Sequence, residues 1–452
     1  MSLYAFDATV AAAVQQGILK LKFESAMDSK LAFSAFTYKE MLDANLGDEK
    51  TFTKNGRLAV DLTPRAATDA ASNLDNGMTV RKAGIEQFTV KVDEWDALDY
   101  VNLFQNEAMI ASDLVRQVGN FGINAAQTKE RLVRKAYLDF YLGGNTRVLA
   151  SGTLSATTCR VDDIRGFQKV LTAGGKLVSV DGSNTLLVDQ YDTSGTLIQT
   201  LTVTGVAADS NVSSLLANSL GGFSGQITYS TATIPTAGHA LLAQNAPKVF
   251  RAGGRVHSAL IGAGDIATLD LAADATTYLK NQGNDGYRDG YIYCLASPSS
   301  LRQLRKDPQF QLAYQGRGDS DEVIKRGKIF EHDGIRYVET NEVPISPGST
   351  GVNVHRMLFV ADPEACMEAD WQGFNNYIDQ AQGSSLHYVE KIQSNIALIL
   401  RDPIDVKRRM QPLAWSMCTG FTCGSDMRAN SDIIPTASNS MYKKALWVEH
   451  AA

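Results

Sequence analysis

The histidines and cysteines are the residues of this 452-residue chain best suited to bind a metal or act as nucleophiles. A structural zinc site needs about four nitrogen or sulfur ligands at short spacings. No two histidines lie four residues apart, and no second Cys or His pair accompanies Cys418 and Cys423. We therefore predict no metal site and expect the histidines to be surface residues or hydrogen-bonded core residues. The odd number and irregular spacing of the cysteines predict reduced thiols. The residues are His239, His257, His332, His355, His387 and His450, and Cys159, Cys294, Cys366, Cys418 and Cys423.

Two adjacent carboxylate pairs, Asp162-Asp163 and Asp321-Glu322, have the composition of a general acid and base. Such pairs more often stand at the start of a helix, where they accept backbone hydrogen bonds. Gly262-Ala263-Gly264 lacks the third glycine of a dinucleotide fingerprint, and no Gly-Lys-Ser/Thr follows it. We predict no catalytic residues, no cofactor-binding residues and no enzymatic activity.

Positive charge gathers at Arg302, Arg305 and Lys306 and again at Lys407-Arg408-Arg409. The whole chain has 43 basic and 49 acidic residues, a net charge of -6. Proteins that coat nucleic acid through its phosphates usually carry a basic excess. The composition therefore does not favour nucleic acid as the main partner. The cluster at 302–306 is predicted to face solvent or an acidic neighbour, and the cluster at 407–409 to face nucleic acid or an acidic neighbour.

The elements that would position these side chains change in character along the chain. Residues 1–50 contain apolar side chains without a long clean period, which predicts an arm that another surface must cover. In a monomer that surface would be the chain's own core, and in an assembly of copies, which we expect, it would be a neighbouring molecule. Apolar and polar residues alternate at 58–63 and again within 85–92, which predicts two strands joined by a long polar segment. Such an extended hairpin buries little apolar area by itself.

A long helix is predicted over 103–142, with apolar residues three and four apart, and a short helix over 162–171. At 1.5 Å per residue the long helix would span roughly 60 Å. Between Leu171 and Phe250 there are only six charged residues, and Ser, Thr, Gly and Val are abundant. We interpret this segment as an inserted β-rich domain, with part of the main domain as the alternative. Mixed α/β patterns return after it.

The stretch 289–344 carries the most specific pattern. Strand Tyr291-Ile292-Tyr293-Cys294 leads into the segment from Ser297 to Pro308, in which Ser297-Pro298 begins a predicted helix that reaches Lys306. After a polar loop come Gly327 to Phe330 and Asp333 to Thr340. This order resembles the central domain of the major capsid proteins of tailed bacteriophages, which share the Hong Kong 97-type fold. Leu142-Gly143-Gly144-Asn145 is similar to the end of that family's long helix. The resemblance covers about four-fifths of the chain and leaves out 171–250.

The resemblance implies an α+β fold with an N-terminal arm, an extended hairpin loop, a long spine helix in a peripheral domain, an axial α/β domain and an inserted β-rich domain. The expected boundaries are 1–50 for the arm, 51–98 for the hairpin and 99–171 for the spine helix and peripheral domain. The insertion would occupy 172–250, and the axial domain with part of the peripheral domain 251–400. The C-terminal strands, 401–452, would return to the peripheral domain.

The implied function is self-assembly into the icosahedral head shell that encloses a phage's double-stranded DNA. The partners would be other copies of the chain in pentamers and hexamers, a scaffolding protein, a portal and a decoration protein, with only non-specific contact with packaged DNA. We expect inter-subunit contacts at seven charged residues. These are Arg57, Arg65, Arg81, Lys82, Glu86, Arg302 and Arg305. Some relatives join a hairpin lysine to an asparagine of another subunit; Lys82 and Lys91 are available, but nothing in the sequence indicates such a bond and we do not predict it.

Two other hypotheses stay open. A tail-tube or surface-layer protein would be richer in β structure throughout and would lack the long helix; a soluble enzyme would need an atypical site. The first twenty residues carry Asp7 and no basic stretch before an apolar run, so we expect no signal peptide. No run approaches the ~20 apolar residues of a membrane span. We expect assembly in the host cytoplasm and residence in the virion, without a membrane partner.

Overall fold

The structure is a computed structural model. It describes residues 17–28, 30–43, 47–55, 85–102, 113–150, 157–171, 177–209, 222, 224–230, 234–244, 246–284, 286–287, 289–314, 331–348, 351–382, 387–393, 395–401, 409–423 and 444–451. The chain divides into two compact units. The first contains Met1–Phe52, Thr89–Ala136 and Cys366–Thr422, and the second contains Thr53–Phe88, Tyr137–Ala365 and Cys423–Ala452.

The described chain combines a few helices with long runs of consecutive strands, and the α+β class that the resemblance implies is confirmed. The helices are α1 (Ile18–Asp28), α2 (Asp113–Tyr141), α3 (Leu269–Asn281), α4 (Pro298–Lys306), α5 (Pro308–Tyr314) and α6 (Gln372–Gln382). The sheet of the first unit contains β1 (Tyr38–Leu42), β4 (Asp93–Asn102), β19 (Met367–Trp371), β20 (His387–Gln393), β21 (Ile396–Arg401) and β22 (Met410–Thr422). Two small sheets pair β2 (Glu49–Asn55) with β3 (Ile85–Lys91) and β7 (Lys169–Leu171) with β8 (Leu177–Ser179).

The second unit holds two larger sheets. One contains β5 (Asn145–Arg147), β6 (Thr158–Val161), β9 (Leu186–Tyr191), β10 (Leu197–Ala208), β11 (Gly225–Ser230) and β12 (Ala240–Ala243). The other contains β13 (Val249–Arg251), β14 (Ile292–Ala296), β15 (Glu331–His332), β16 (Ile335–Glu339), β17 (Ser346–Pro347), β18 (Asn353–Val360) and β23 (Ala445–Ala451).

In the first unit, one face of the sheet is covered by α1 and by the part of α2 up to Ala136. Strand β22 is the centre of this sheet: it pairs with β4 along one edge and with β21 and β19 along the other. Its residues Leu413, Trp415 and Met417 recur at every second position, so all three point to the same face and enter one apolar core.

The N-terminal arm is where the structure corrects the sequence interpretation. We expected 1–50 to lie across a neighbouring molecule, but α1 packs into the core of its own chain. Leu19, Phe23 and Met27 stand four residues apart and are fully buried there. A stripe at this spacing is the inner face of an amphipathic helix, and the chain supplies the surface that covers it. Residues 1–16 lie outside the described part.

The hairpin has the expected two strands, but its first strand lies earlier than predicted. Strand β2 covers Glu49–Asn55, whereas the alternating pattern at 58–63 and the polar segment to 84 lie outside the described residues. The predicted second strand, 85–92, matches β3 closely. The two strands pair only with each other among the described strands.

The long helix, α2, has 29 residues, which corresponds to about 43 Å. It ends at Tyr141, one residue before the predicted end, while 103–112 lie outside the described residues. The short helix predicted over 162–171 is wrong. Ile164 and Phe167 lie in a segment of turns between β6 and β7, and both side chains are buried in the core of a β-sheet. Their spacing of three residues therefore does not reflect a helix.

The β-rich segment closes into a small antiparallel barrel. Its strands run in the order β5-β12-β9-β10-β11-β6, and a bridge between Val148 and Val161 joins the two ends. The barrel therefore begins at Asn145, well before the predicted boundary at 172, because β5 and β6 are needed to pair its open edges. Its interior is apolar and includes Cys159, Val188 and Leu201.

The other sheet of the second unit runs β13-β23-β18-β14-β16-β15, with β17 beside β18. Its core contains apolar residues of α3 and α4 together with Cys294, Phe359 and Val448. The C-terminal strands do not behave as one group: β22 belongs to the sheet of the first unit, whereas β23 pairs with β18 and β13 in this one. The two strands thus belong to different sheets, and their return to the peripheral domain stays a prediction.

Candidate functional site: charged surfaces and buried polar networks

The predicted contact residues of the hairpin cannot be placed. Arg57, Arg65, Arg81 and Lys82 lie outside the described residues. Glu86 belongs to β3, but its side chain is outside the described part. These positions remain predictions.

The other two predicted contact residues stand on α4. Ser297 caps this helix by accepting a hydrogen bond from the Ser300 backbone N–H, and Pro298 fills the first turn. Leu301 and Leu304 are buried against the sheet. Arg302 is consequently exposed and Arg305 is half-buried.

Neither arginine forms an ion pair within the described part of the chain, and the Nε atom of Arg305 is buried there without an acceptor. The helix also carries Lys306 and has no acidic residue. Its outer face is therefore cationic, which fits contact with an acidic group of another molecule.

A chain of hydrogen bonds leads from the start of α4 into the sheet beneath it. The Ser297 hydroxyl lies 3.2 Å from His355 Nδ1 and 2.8 Å from the Ser300 hydroxyl. The Ser300 hydroxyl in turn lies 2.9 Å from His450 Nε2, and His450 Nδ1 lies 2.8 Å from the Ala451 carbonyl oxygen. All four side chains of this histidine–serine chain are buried. Sequence reasoning missed it because His355 and His450 stand on strands far apart in sequence.

Beside this chain lies a buried charge network. Glu449, fully buried on β23, accepts from Arg356 Nε at 2.8 Å and from Arg251 Nε at 2.7 Å. Burial raises the pKa of Glu449, but Arg356 and Arg251 outweigh it and bring that pKa to about 2. Ser346 accepts a further hydrogen bond from Arg356. The network joins β13, β18 and β23, so it holds the strands in register.

A second buried network occupies the first unit. Lys129 on α2 and Glu368 on β19 form an ion pair of 2.7 Å, and both are almost fully buried. Asn395 donates to Asp370 at 2.7 Å. Burial and the nearby Glu368 raise the pKa of Asp370. Glu130 accepts from the backbone N–H groups that follow α1, at residues 33 and 34.

Strand β4 presents a long acidic edge. It pairs with β22 on one side, and no described strand pairs with its other side. Its ten residues, DEWDALDYVN, include four acidic side chains, all exposed, and no basic one. Leu98 and Tyr100 are also exposed. Asp99 accepts a hydrogen bond of 2.8 Å from the Tyr100 backbone N–H, and exposed charge of this kind blocks uncontrolled strand pairing.

Residue types able to bind a metal do not gather into a site in the described ranges. No group of three His, Cys, Asp or Glu side chains there could hold a metal ion. All five cysteines lie in these ranges; each is buried and none forms a disulfide. Among the described helices, none combines the length and apolar character needed to cross a membrane.

No protein-family model matches the sequence, and no curated protein matches it. Solved structures of phage capsids do align with most of the chain. The capsid of Ralstonia phage GP4 aligns with a TM-score of 0.47 at 11% identity, covering 93% of this chain and 88% of its own. The cyanophage Pam1 capsid aligns with a TM-score of 0.48 at 8% identity, covering 92% of this chain and 91% of its own. The capsid of cyanophage P-SCSP1u aligns with a TM-score of 0.44 at 10% identity, covering 93% of this chain and 88% of its own. The chain is thus similar to these phage capsid proteins along most of its length.

Proposed function

We propose that this chain is the major capsid protein of a tailed bacteriophage and that copies of it assemble into the icosahedral shell of the head. One observation carries the proposal. The stretch 289–344, on which the sequence resemblance rests, folds as that resemblance implies: β14 leads into α4 and α5, and β16 returns parallel to β14. The function is structural, and the chain is not an enzyme.

The surfaces of the subunit support association with other copies. A shell of identical subunits uses contacts between unlike patches, which close into rings when the rotation between neighbours allows it. The cationic face of α4 and the acidic edge of β4 are two such unlike patches on one chain. Opposite charges on a common subunit favour head-to-tail contact and oppose contact between like patches.

The finer assignments belong to the same proposal. The hairpin around 51–98 lies across a neighbouring copy, with Arg57, Arg65, Arg81, Lys82 and Glu86 among its contacts. The domain that includes α4 gathers near the five-fold and six-fold axes, where Arg302 and Arg305 meet neighbours. A scaffolding protein, a portal and a decoration protein are the further partners, contact with packaged DNA is non-specific, and assembly takes place in the host cytoplasm.

Negative-stain electron microscopy of the purified chain tests the proposal. Closed round particles, or rings of five and six subunits, are expected. Tubes or flat lattices would instead support the tail-tube or surface-layer hypothesis, and monomers that persist at high concentration would refute self-assembly.

Two variants test the proposed contacts. Arg302→Glu/Arg305→Glu should fold but give few particles, whereas Lys280→Glu, which reverses an exposed charge at the end of α3 in the same unit, is the matched control. A chain lacking 65–77 should likewise fold but assemble poorly. Normal particle yield from either altered chain would exclude the contact that it removes.

A further inference from the structure

The histidine–serine chain at the start of α4 has a single direction of proton donation. His450 Nδ1 faces the Ala451 carbonyl, which only accepts, so Nδ1 carries the proton and Nε2 accepts from the Ser300 hydroxyl. Ser300 then accepts from the Ser297 hydroxyl. Ser297 in turn accepts from His355 Nδ1–H. Each imidazole is therefore held in one neutral tautomer.

A second proton on His450 would require the serine hydroxyls to reorient. It would have to sit on Nε2, where the Ser300 hydroxyl already points its own proton. The surroundings oppose a further positive charge, because Arg356 on β18 and Arg251 on β13 share Glu449 as their one ion-pair partner among the described residues. His257, buried near the same Arg251 and Glu449, is a further titratable group, and burial lowers its pKa to about 4. Burial lowers the pKa of His450 to about 4, and burial with Arg356 also lowers the pKa of His355. The other charged groups on the helices packed against this sheet are Arg302, Arg305 and Lys306 on α4 and Asp270, Asp274 and Lys280 on α3.

The same serines determine how α4 begins. The Ser297 hydroxyl accepts from the Ser300 backbone N–H, and this is the side-chain cap of the helix. If Ser300 turns away from a protonated His450, Ser297 loses its acceptor and the cap loses its fixed orientation. A missing cap weakens the first helical turn, and in this helix that turn precedes Arg302 directly.

We propose that His355, Ser297, Ser300 and His450 form an acid-sensitive clasp, which holds the start of α4 at neutral pH and releases it when the imidazoles gain protons. The release would displace Arg302 and Arg305 and so weaken association between copies in acid. This last step rests on the proposed function, whereas the clasp itself is a property of a single chain.

Hydrogen exchange of the unassembled subunit, followed by mass spectrometry at pH 7.5 and pH 4.5, tests the clasp without requiring assembly. After correction for the intrinsic pH dependence, amides in the first turns of α4 should exchange about tenfold faster at pH 4.5. Amides of α3, whose cap is the Thr268 hydroxyl and contains no histidine, provide the internal control. Unchanged protection of α4 would overturn the proposal.

Variants separate the histidines from general acid effects. His355→Gln/His450→Gln replaces both imidazoles with amides that still donate and accept but do not titrate in this range. It should remove the extra exchange at pH 4.5, while His332→Gln, which alters a half-buried histidine on β15, should retain it. If the double variant keeps the acid response, the clasp is not its cause.

Particle yield across the same pH range then tests the connection to assembly. Wild-type chain and His332→Gln should lose particles as pH falls, and His355→Gln/His450→Gln should keep them to lower pH. If the exchange result holds but no particles form at any pH, the clasp stands and the proposed function fails. If particles form and all three chains respond to acid alike, the clasp does not control assembly.

Discussion

Packing of α1 on its own chain makes Gly122 of α2 a position where one methyl group should be costly. An alanine Cβ there would lie 2.6 Å from the Phe23 carbonyl oxygen and 3.1 Å from Ala26 Cβ. The backbone of α1 cannot move away without a large cost, because Leu19 and Met27, about one turn before and after Phe23, are fully buried in the core. One turn earlier, a Cβ at Gly119 would meet only the Lys22 side chain, with Cε at 3.2 Å.

The two positions therefore form a matched pair. Alanine is favoured over glycine by about 1 kcal/mol in a helix interior. Gly119→Ala should keep most of this gain, because a flexible lysine end can swing aside. At Gly122 overpacking costs about 1–3 kcal/mol and offsets or exceeds the gain. We expect Gly122→Ala to be less stable than Gly119→Ala by about 2 kcal/mol.

Urea denaturation of the unassembled subunit measures this difference. Tryptophan fluorescence is a suitable signal because Trp415 lies in the core that α1 covers. At a common m-value, the lower midpoint should belong to Gly122→Ala. Equal midpoints, or a more stable Gly122→Ala, would show that α1 does not pack on α2 as described, and would restore the hypothesis that the arm lies on a neighbour.

Three further perturbations test the buried networks. Lys129→Met leaves Glu368 buried without its cation and should lower the free energy of unfolding by about 3–5 kcal/mol. The double variant Lys129→Met/Glu368→Gln should recover much of the lost stability, because it also removes the unpaired carboxylate. Urea denaturation measures the stability of both variants. Glu449→Gln should cost a similar amount, about 3–5 kcal/mol, because Arg356 then keeps its buried charge without compensation. His450 binds its proton more weakly in the folded chain than in the unfolded one, because its pKa is lowered from 6.5 to about 4. The contribution of neutral His450 to the free energy of unfolding is therefore fully present above pH 6.5. That contribution is lost as pH falls towards 4, by up to about 3 kcal/mol. His450→Gln should flatten that part of the curve of thermal stability against pH.

Elements with strong local signals were predictable from sequence. The run from Ser297 to Leu304 combines a capping serine, a proline in the first turn and apolar residues three apart, and it forms α4 as predicted. The spacing of apolar residues likewise predicted the end of α2 to within one residue. In both cases the information lies within a few turns of the chain.

Features that depend on distant partners were not predictable. Ile164 and Phe167 have helical spacing, yet they fill the barrel core, because a spacing of three also arises in a turn that points two side chains inward. β5 has only three residues, and its strand character comes from its pairing with β12. The histidine–serine chain joins residues about 150 positions apart, as between Ser300 and His450. No local pattern indicates which distant strand will lie beneath a helix.

The burial of α1 changes the physical argument for assembly. If the arm carried apolar surface that only a neighbour could cover, the lone subunit would be prone to aggregate and hydrophobic burial would drive association. The chain instead covers Leu19, Phe23 and Met27 itself, and it protects the free edge of β4 with four carboxylates. Carboxylates on two β4 edges repel each other, which disfavours pairing of this strand with its own copy. The described surface offers an acidic patch on β4 and a basic patch on α4, together with exposed apolar side chains such as Leu98 and Tyr100. In the proposed assembly, contacts between the charged patches would be individually weak and selective for unlike partners, so that copies stay separate until many contacts form together.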